Sequence, residues 1–209
     1  MTKAFVYTEV QISLPFHDAP WKEINRAIKQ QPGFLNKTWL SGIGNNSVGG
    51  LYTFDSIEDA QKFVTGYFPA EARGIDAAHT TRIFNAEIVE DASKDMNSVH
   101  FGAKINQKPG AFIYTELQLN IPFNNAPWAD LNPVLRQQPG FLAKTWLSGL
   151  HTNTVGGLYA FDTIENAKTF AIDYFPTEAA QLNAAFTTRV FDASVVEDAS
   201  RDMNSPFFN

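Results

Sequence analysis

The stretch QQPGFLNKTWLSG at residues 30–42 returns as QQPGFLAKTWLSG at 137–149 with a single substitution. A constant shift between the copies also carries AFVYTEVQ onto AFIYTELQ and VGGLYTFD onto VGGLYAFD, and IVEDASKDMNS onto VVEDASRDMNS. Well over half of the aligned positions are identical. The repeat is domain-sized, too long for a solenoid unit, and marks a tandem duplication. The copies run from about Lys3 to Ser98 and from about Gly110 to Phe208. VHFGAKINQKPG between them, with its Pro, Gly and Lys, reads as a linker. The expected organisation is a first domain over 1–98, a linker over 99–109 and a second domain over 110–209.

Within one copy the hydrophobic period alternates between two and 3.6. KAFVYTEVQIS (3–13) alternates and is rich in β-branched and aromatic residues, so it predicts a strand. DAPWKEINRAIKQQ (18–31) predicts a helix with an Asp18 cap, and its stripe is Trp21, Ile24, Ala27 and Ile28 before Pro32-Gly33 ends it. GFLNKTWLSG and GGLYTFD predict strands around the polar turn IGNNSV. DSIEDAQKFVTGYF has Ser56 three residues before Asp59, a capping-box spacing, and a stripe of Ile57, Ala60, Phe63, Val64 and Tyr67. TTRIFNAEIVED predicts a last strand. The order βαββαβ is the ferredoxin-like α+β unit. Its helices cover one sheet face and leave the other in need of a partner. A second copy on the same chain supplies one, which predicts an intramolecular pseudo-dimeric α+β barrel and a monomer, or a dimer of such monomers.

Composition narrows function. The hydrophobic share of 44% and charged share of 18% exclude a disordered chain. A net charge of -6 without a basic run argues against nucleic acid or an anionic membrane as partner. Cysteine is absent, so thiolate chemistry is excluded. MTKAFVYTEVQ lacks a signal-peptide pattern and no apolar run reaches about 18 residues, which predicts a cytoplasmic protein. His17, His79, His100 and His151 each align with a residue other than His, and no H-x-x-x-H spacing occurs, so no metal site is expected. VGGLY lacks the remaining residues of a phosphate loop, and its glycines predict close backbone approach. The acidic VEDASKDMNS and VEDASRDMNS runs predict docked tails, anchored by Met96 and Met203.

PFHDAPWKEINRAIKQQPGFLNKTW, GGLYTFDSIEDA and TRIFNAEIVED together resemble the YdhR-type monooxygenase family of the dimeric α+β barrel superfamily. The resemblance spans nearly all of each copy. It implies the barrel fold and, from the range of the superfamily, a cofactor-free quinone-forming monooxygenase, a haem enzyme, a lactone isomerase or polyketide cyclase, or a protein without known activity.

Candidate site residues follow from strand alternation. Tyr7, Glu9 and Gln11 share one side of the first strand, Lys37 and Trp39 one side of the second. Tyr52 lies with Phe54 on the third and Arg82 with Phe84 on the fourth. Their counterparts are Tyr114, Glu116, Gln118, Lys144, Trp146, Tyr159, Phe161, Arg189 and Phe191. Which sets share a sheet face depends on register, which the sequence leaves open. One reading is a pocket for a small aromatic or hydrophobic ligand. Glu9/Glu116 would be its base, Tyr52/Tyr159 and Arg82/Arg189 its donors, and Tyr7, Trp39, Phe54 and Tyr67 with Tyr114, Trp146, Phe161 and Tyr174 its walls. The other is a core of satisfied aromatics with Glu9, Lys37 and Arg82 in cross-strand ion pairs. Substitutions such as Asp18/Asn125, Arg73/Ala180, His79/Phe186 and Glu87/Ser194 predict two related but unequal pockets.

Overall fold

Eight strands form two four-stranded antiparallel sheets, one from each repeat, in the order β2-β3-β1-β4 and β6-β7-β5-β8. The structure is a computed structural model that describes residues 2–12 and 14–208. Met1, Ser13 and Asn209 lie outside them, and with them the last residue of the expected 3–13 strand and the outermost residues of the expected domains. In the first repeat the elements are β1 (Ala4–Gln11), α1 (Trp21–Ile28), β2 (Phe34–Ser41), β3 (Ser47–Phe54), α2 (Ile57–Lys62), α3 (Phe68–Gly74) and β4 (His79–Asn85). After α4 (Glu90–Lys94), the second repeat gives β5 (Ala111–Gln118), α5 (Trp128–Arg136), β6 (Phe141–Ser148), β7 (Thr154–Phe161), α6 (Ile164–Thr169), α7 (Phe175–Gln181), β8 (Ala185–Asp192) and α8 (Glu197–Asp202). Each repeat is the βαββαβ unit that its periodicity predicts.

Local chemistry explains most boundaries. Ser56 Oγ accepts from the Asp59 amide at 3.0 Å and donates to the Asp59 carboxylate at 2.8 Å, so Ser56 caps α2 at the predicted spacing, with the Asp59 carboxylate bonded to the cap hydroxyl. A π-helical turn, Phe63–Tyr67, joins α2 to α3, and Phe170–Tyr174 does the same between α6 and α7. Such turns are rare and concentrate at functional sites. Two expectations need correction. Asp18 does not cap α1: it ends a short 3-10 turn, and Pro20 occupies the cap position, where the missing amide costs nothing. The fully buried residues of α1 are Asn25 and Ile28, with Trp21, Ile24 and Ala27 only partly covered. The last strand also stops at Asn85, and Glu90–Lys94 is helical.

The compact units are not the two repeats. One comprises Met1–Glu87 with Val195–Asn209, the other Ile88–Ser194. Each sheet therefore carries the tail that follows the other repeat. β2 is an edge strand, and edge amides need partners. In the first unit the Lys37 amide donates to the Met203 carbonyl at 3.1 Å and the Trp39 amide to Ser200 Oγ at 3.0 Å. In the second, Lys144 donates to the Met96 carbonyl at 2.9 Å and Trp146 to Ser93 Oγ at 2.9 Å. Met96 and Met203 are fully buried. His100, expected in the linker, belongs to this docking: its Nδ1 and the Oγ of Ser98 both hydrogen-bond Thr145 Oγ1, at 2.8 and 2.7 Å. Burial lowers the His100 pKa to about 3.

A candidate site on the helix-facing side of each sheet

Register divides the candidate residues between two faces. Directly opposed residues of an antiparallel pair project to the same side. Val6 opposes Tyr52 and Ile83, Lys37 opposes Tyr52, and Trp39 opposes Gly50. Lys37, Trp39, Tyr52 and Phe54 thus share one face, with Thr8 and His79. Tyr7 opposes Arg82, and Glu9 lies two residues along, so Tyr7, Glu9, Arg82 and Phe84 occupy the reverse face. The second repeat has the same register, with Lys144, Trp146, Tyr159 and Phe161 on one side and Tyr114, Glu116, Arg189 and Phe191 on the other. The structure does not bring Glu9 or Arg82 to Tyr52 and Trp39. The Tyr7 hydroxyl donates to Glu9 Oε2 at 2.7 Å, and Tyr114 repeats this with Glu116 at 2.5 Å. Arg82 and Arg189 are exposed and donate to the preceding carbonyls, of Thr81 and Thr188.

The first face packs under the α2–α3 helix. Phe63 lies 5.1 Å from both the Tyr52 and Phe54 rings and stacks on Tyr67 at 5.4 Å. Phe170 repeats these contacts with Tyr159, Phe161 and Tyr174 at 5.0, 5.2 and 5.2 Å. The Trp39 indole N–H donates to Asn25 Oδ1 at 2.8 Å. Asn25 Nδ2 in turn donates to the Ala199 carbonyl at 3.0 Å and to Asp202 Oδ2 at 2.8 Å. Trp146, Asn132, Ala92 and Asp95 form the matching chain. Each tail therefore fixes the tryptophan of the site it docks beside.

The sequence reading missed the centre of this arrangement. Lys37 and Lys144 are both 1% exposed, and among the described residues neither forms an ion pair. Their ammonium nitrogens sit 2.8 Å from the Trp39 and Trp146 ring centroids and 4.7 and 4.6 Å from those of Tyr52 and Tyr159. The cross-strand pairing of Lys37 with Glu9 is excluded by the face it occupies. Burial holds both lysine pKa values well below the ordinary range, and for Lys144 the Glu178 carboxylate partly opposes the shift. Burial drives Tyr52 and Tyr159 upward, so both keep their protons. Tyr67 is pushed up to about 12 by burial and then by Glu71. The double glycine makes the room. A Cβ on Gly50 would lie 2.6 Å from Lys37 Cε, and one on Gly49 would collide with the Thr8 carbonyl.

The two sites differ through a shared glutamate more than through the substituted positions. Glu71 is exposed, whereas its counterpart Glu178 is 7% exposed and its Oε2 has no hydrogen-bond partner. A cavity of about 20 Å³ lies in the second unit, lined by Thr115, Lys144, Trp146, Tyr159, Phe175 and Glu178 among others. That volume suits about one water molecule. His79 and Phe186 occupy one position and each packs edge-on against a helix phenylalanine, at 5.8 and 5.9 Å. Among the described residues no three His, Asp or Glu side chains form a metal-binding group, and no helix is long and apolar enough to cross a membrane.

A family model described as "Putative mono-oxygenase ydhR" matches residues 9–97. No curated protein matches the sequence. Among solved structures, an "anthrone oxidase-like protein" superposes with a TM-score of 0.56 at 16% identity, covering 92% of this chain and 91% of that one. A "putative monooxygenase" from Fusobacterium nucleatum gives 0.53 at 10% identity, covering 91% and 92%. Another from Lactobacillus acidophilus gives 0.51 at 9%, covering 91% and 93%. At these identities the likeness concerns the fold.

Proposed function

We propose, from the match of residues 9–97 to the ydhR mono-oxygenase family model, that the chain oxidises a small electron-rich aromatic compound with molecular oxygen and no bound cofactor. One observation carries the reading. In each unit a tryptophan, two tyrosines and several phenylalanines, from the sheet and the helix that covers it, surround a buried lysine, while Glu9 and Arg82, and Glu116 and Arg189, lie on the reverse face of the sheet. Aromatic walls with few convergent polar groups are the usual make-up of a small-molecule site.

The chemistry asks little of a cofactor. A phenol, or the keto form of an anthrone, becomes an anion on losing a proton and then reduces oxygen itself. One electron passes from the anion to O2, the two radicals couple through a new C–O bond, and loss of water from the peroxide leaves a quinone. The balance is CH2 + O2 → C=O + H2O at the oxidised carbon. The protein needs to orient the ring, accept the proton and exclude water. Trp39/Trp146 and Phe54/Phe161 would hold the ring, and Tyr52/Tyr159 and Tyr67/Tyr174, which stay protonated, would donate to its oxygen. Glu9 and Arg82, on the other face, take no part. Entry of a ring requires the α2–α3 or α6–α7 helix to lift from the sheet, and the π-helical turns interrupt the regular hydrogen bonding of that helix.

Oxygen consumption with anthrone and a panel of hydroxylated aromatics tests this, with one O2 consumed and one quinone formed per substrate. Compounds that bind without oxygen uptake would refute it. The small cavity favours a second reading, a non-enzymatic binding protein whose pocket stays filled by its own side chains. An isomerase or cyclase using the same surface would work in the absence of oxygen.

A further inference from the structure

We propose that the amine of Lys144, and that of Lys37 in the other unit, is the base that takes the proton from the acidic O–H or C–H of the aromatic substrate and then holds the resulting anion as an ion pair. This rests on the oxygenase reading for its substrate class, and on the geometry of the lysines for everything else.

Three observations converge on these amines. Each is buried among aromatic rings, and among the described residues neither has a counter-ion in ion-pair range. A lysine with only structural work would be expected to carry its charge to solvent or to a carboxylate, because an unpaired buried ammonium is costly. The Lys144 side chain also lines the cavity of its unit. Finally, a glycine beside each lysine gives its stem passage: a Cβ at Gly50 or Gly157 would stand 2.6 or 2.7 Å from the Cε atom. The depressed lysine pKa values agree, since a buried amine favours the neutral form that can accept a proton.

On the same sheet face as Lys37 lie Thr8 on β1, Tyr52 on β3 and, at the far edge, His79 on β4, with Tyr67 and Glu71 on the covering helix. Lys144 has Thr115, Tyr159 and Glu178 around its cavity and Tyr174 on the covering helix. The tyrosines are held protonated and are poor bases. Glu71 is exposed, which leaves Glu178, among the described residues, as the carboxylate placed to compete. In the transfer, the substrate O–H or C–H bond breaks and an N–H bond forms. A neutral amine and neutral substrate become an ammonium and an anion, so the net charge of the pocket is unchanged. The tryptophan face beneath the nitrogen stabilises the ammonium, and the anion is then the species that reduces oxygen. The proton leaves with the water released.

The experiment uses 4-nitrophenol, which is yellow only as the phenolate and is not oxidised, mixed with the full chain about one pH unit below the probe's own pKa. Quenching of tryptophan fluorescence reports binding and absorbance reports ionisation. The expected result is roughly tenfold more phenolate in the bound probe than in the free probe, half of it lost in Lys37→Met, half in Lys144→Met and all of it in the double variant, with quenching retained. Glu178→Gln should keep the colour. A bound probe that stays colourless in the wild type, no binding at all, colour surviving in the double variant, or colour lost in Glu178→Gln would each overturn the proposal. The wild-type result does not depend on how the variants fold, which circular dichroism checks. Colour without oxygen uptake from any phenol would leave the base in place and remove the oxygenase reading. Uptake that survives the double substitution would do the reverse.

Discussion

The buried lysines make stability depend on pH in a direction that surface lysines do not. In the unfolded chain Lys37 and Lys144 titrate near 10.4, the ordinary value. In the folded chain burial lowers both. Between the folded and unfolded pKa values the unfolded chain therefore binds one more proton per lysine. Stability rises with pH wherever the unfolded state binds more protons. The folding equilibrium constant should gain up to about tenfold per pH unit for each lysine, and about a hundredfold when both unfold in one transition. The gain ends near pH 10.4, and below the folded pKa there is none. Tyr52 and Tyr159 act oppositely, because their folded pKa values are raised. Above pH 10 the unfolded tyrosines ionise first and stability falls. Urea unfolding of the wild type, Lys37→Met and Lys144→Met at half-unit steps from pH 7 to 9.5 isolates the lysines. Each variant should lose its share of the slope and at pH 7 be at least as stable as the wild type, since methionine fills the same space without a polar group to desolvate. Parallel stability curves for all three proteins would mean that the lysines are charged in the folded state, and would refute the reasoning.

Asn25→Ala orphans the Trp39 indole N–H and the Ala199 carbonyl and should cost about 2–4 kcal/mol in denaturant unfolding; Asn132→Ala should match it. Gly50→Ala forces a Cβ against Lys37 Cε at 2.6 Å and the Thr38 carbonyl at 2.9 Å, an overpacking cost of about 1–3 kcal/mol by the same measurement. Removal of residues 195–209 should abolish hydrogen-exchange protection of the Lys37 and Trp39 amides, which the tail accepts, while those of Lys144 and Trp146 stay protected by residues 93–96.

The fold was legible because its signals are local: a period of two or 3.6, a helix cap, a double glycine. The site was legible only within strands. Tyr52 with Phe54 and Lys37 with Trp39 follow from alternation, and both pairings hold. Whether Glu9 and Arg82 join them depends on which residue lies opposite which, and the bulge between Phe34 and Asn36 shows how a single inserted residue can reset that count. Lys37 was hidden by its type, since lysine normally belongs at the surface. The available signal was its neighbourhood, for a lysine flanked by Thr38, Trp39 and Leu40 sits in a strand buried on both faces. Asn25 was hidden likewise, although it lies four residues after Trp21 and three before Ile28, on the stripe the apolar residues define.

The tail exchange is a question of reach. VEDASKDMNS and VEDASRDMNS are nearly identical, so either could in principle dock beside either β2-type strand. Connectivity decides. In the order β2-β3-β1-β4 the chain leaves its sheet at β4, the edge farthest from its own β2. Three strand spacings separate those edges, about 14 Å. Only residues 86–89 lie between β4 and α4, and the five steps from Asn85 to Glu90 span at most about 18 Å when fully extended. A straight path between the two edges would run through the sheet itself, and a path around it is longer. The short connection disfavours return to the chain's own edge strand, and the tail covers the equivalent strand of the other copy. The Trp39 site therefore depends on residues that follow the second repeat, and the Trp146 site on residues that follow the first. That dependence gives a physical reason for both copies to remain on one chain: each keeps the other's tryptophan and lysine in place.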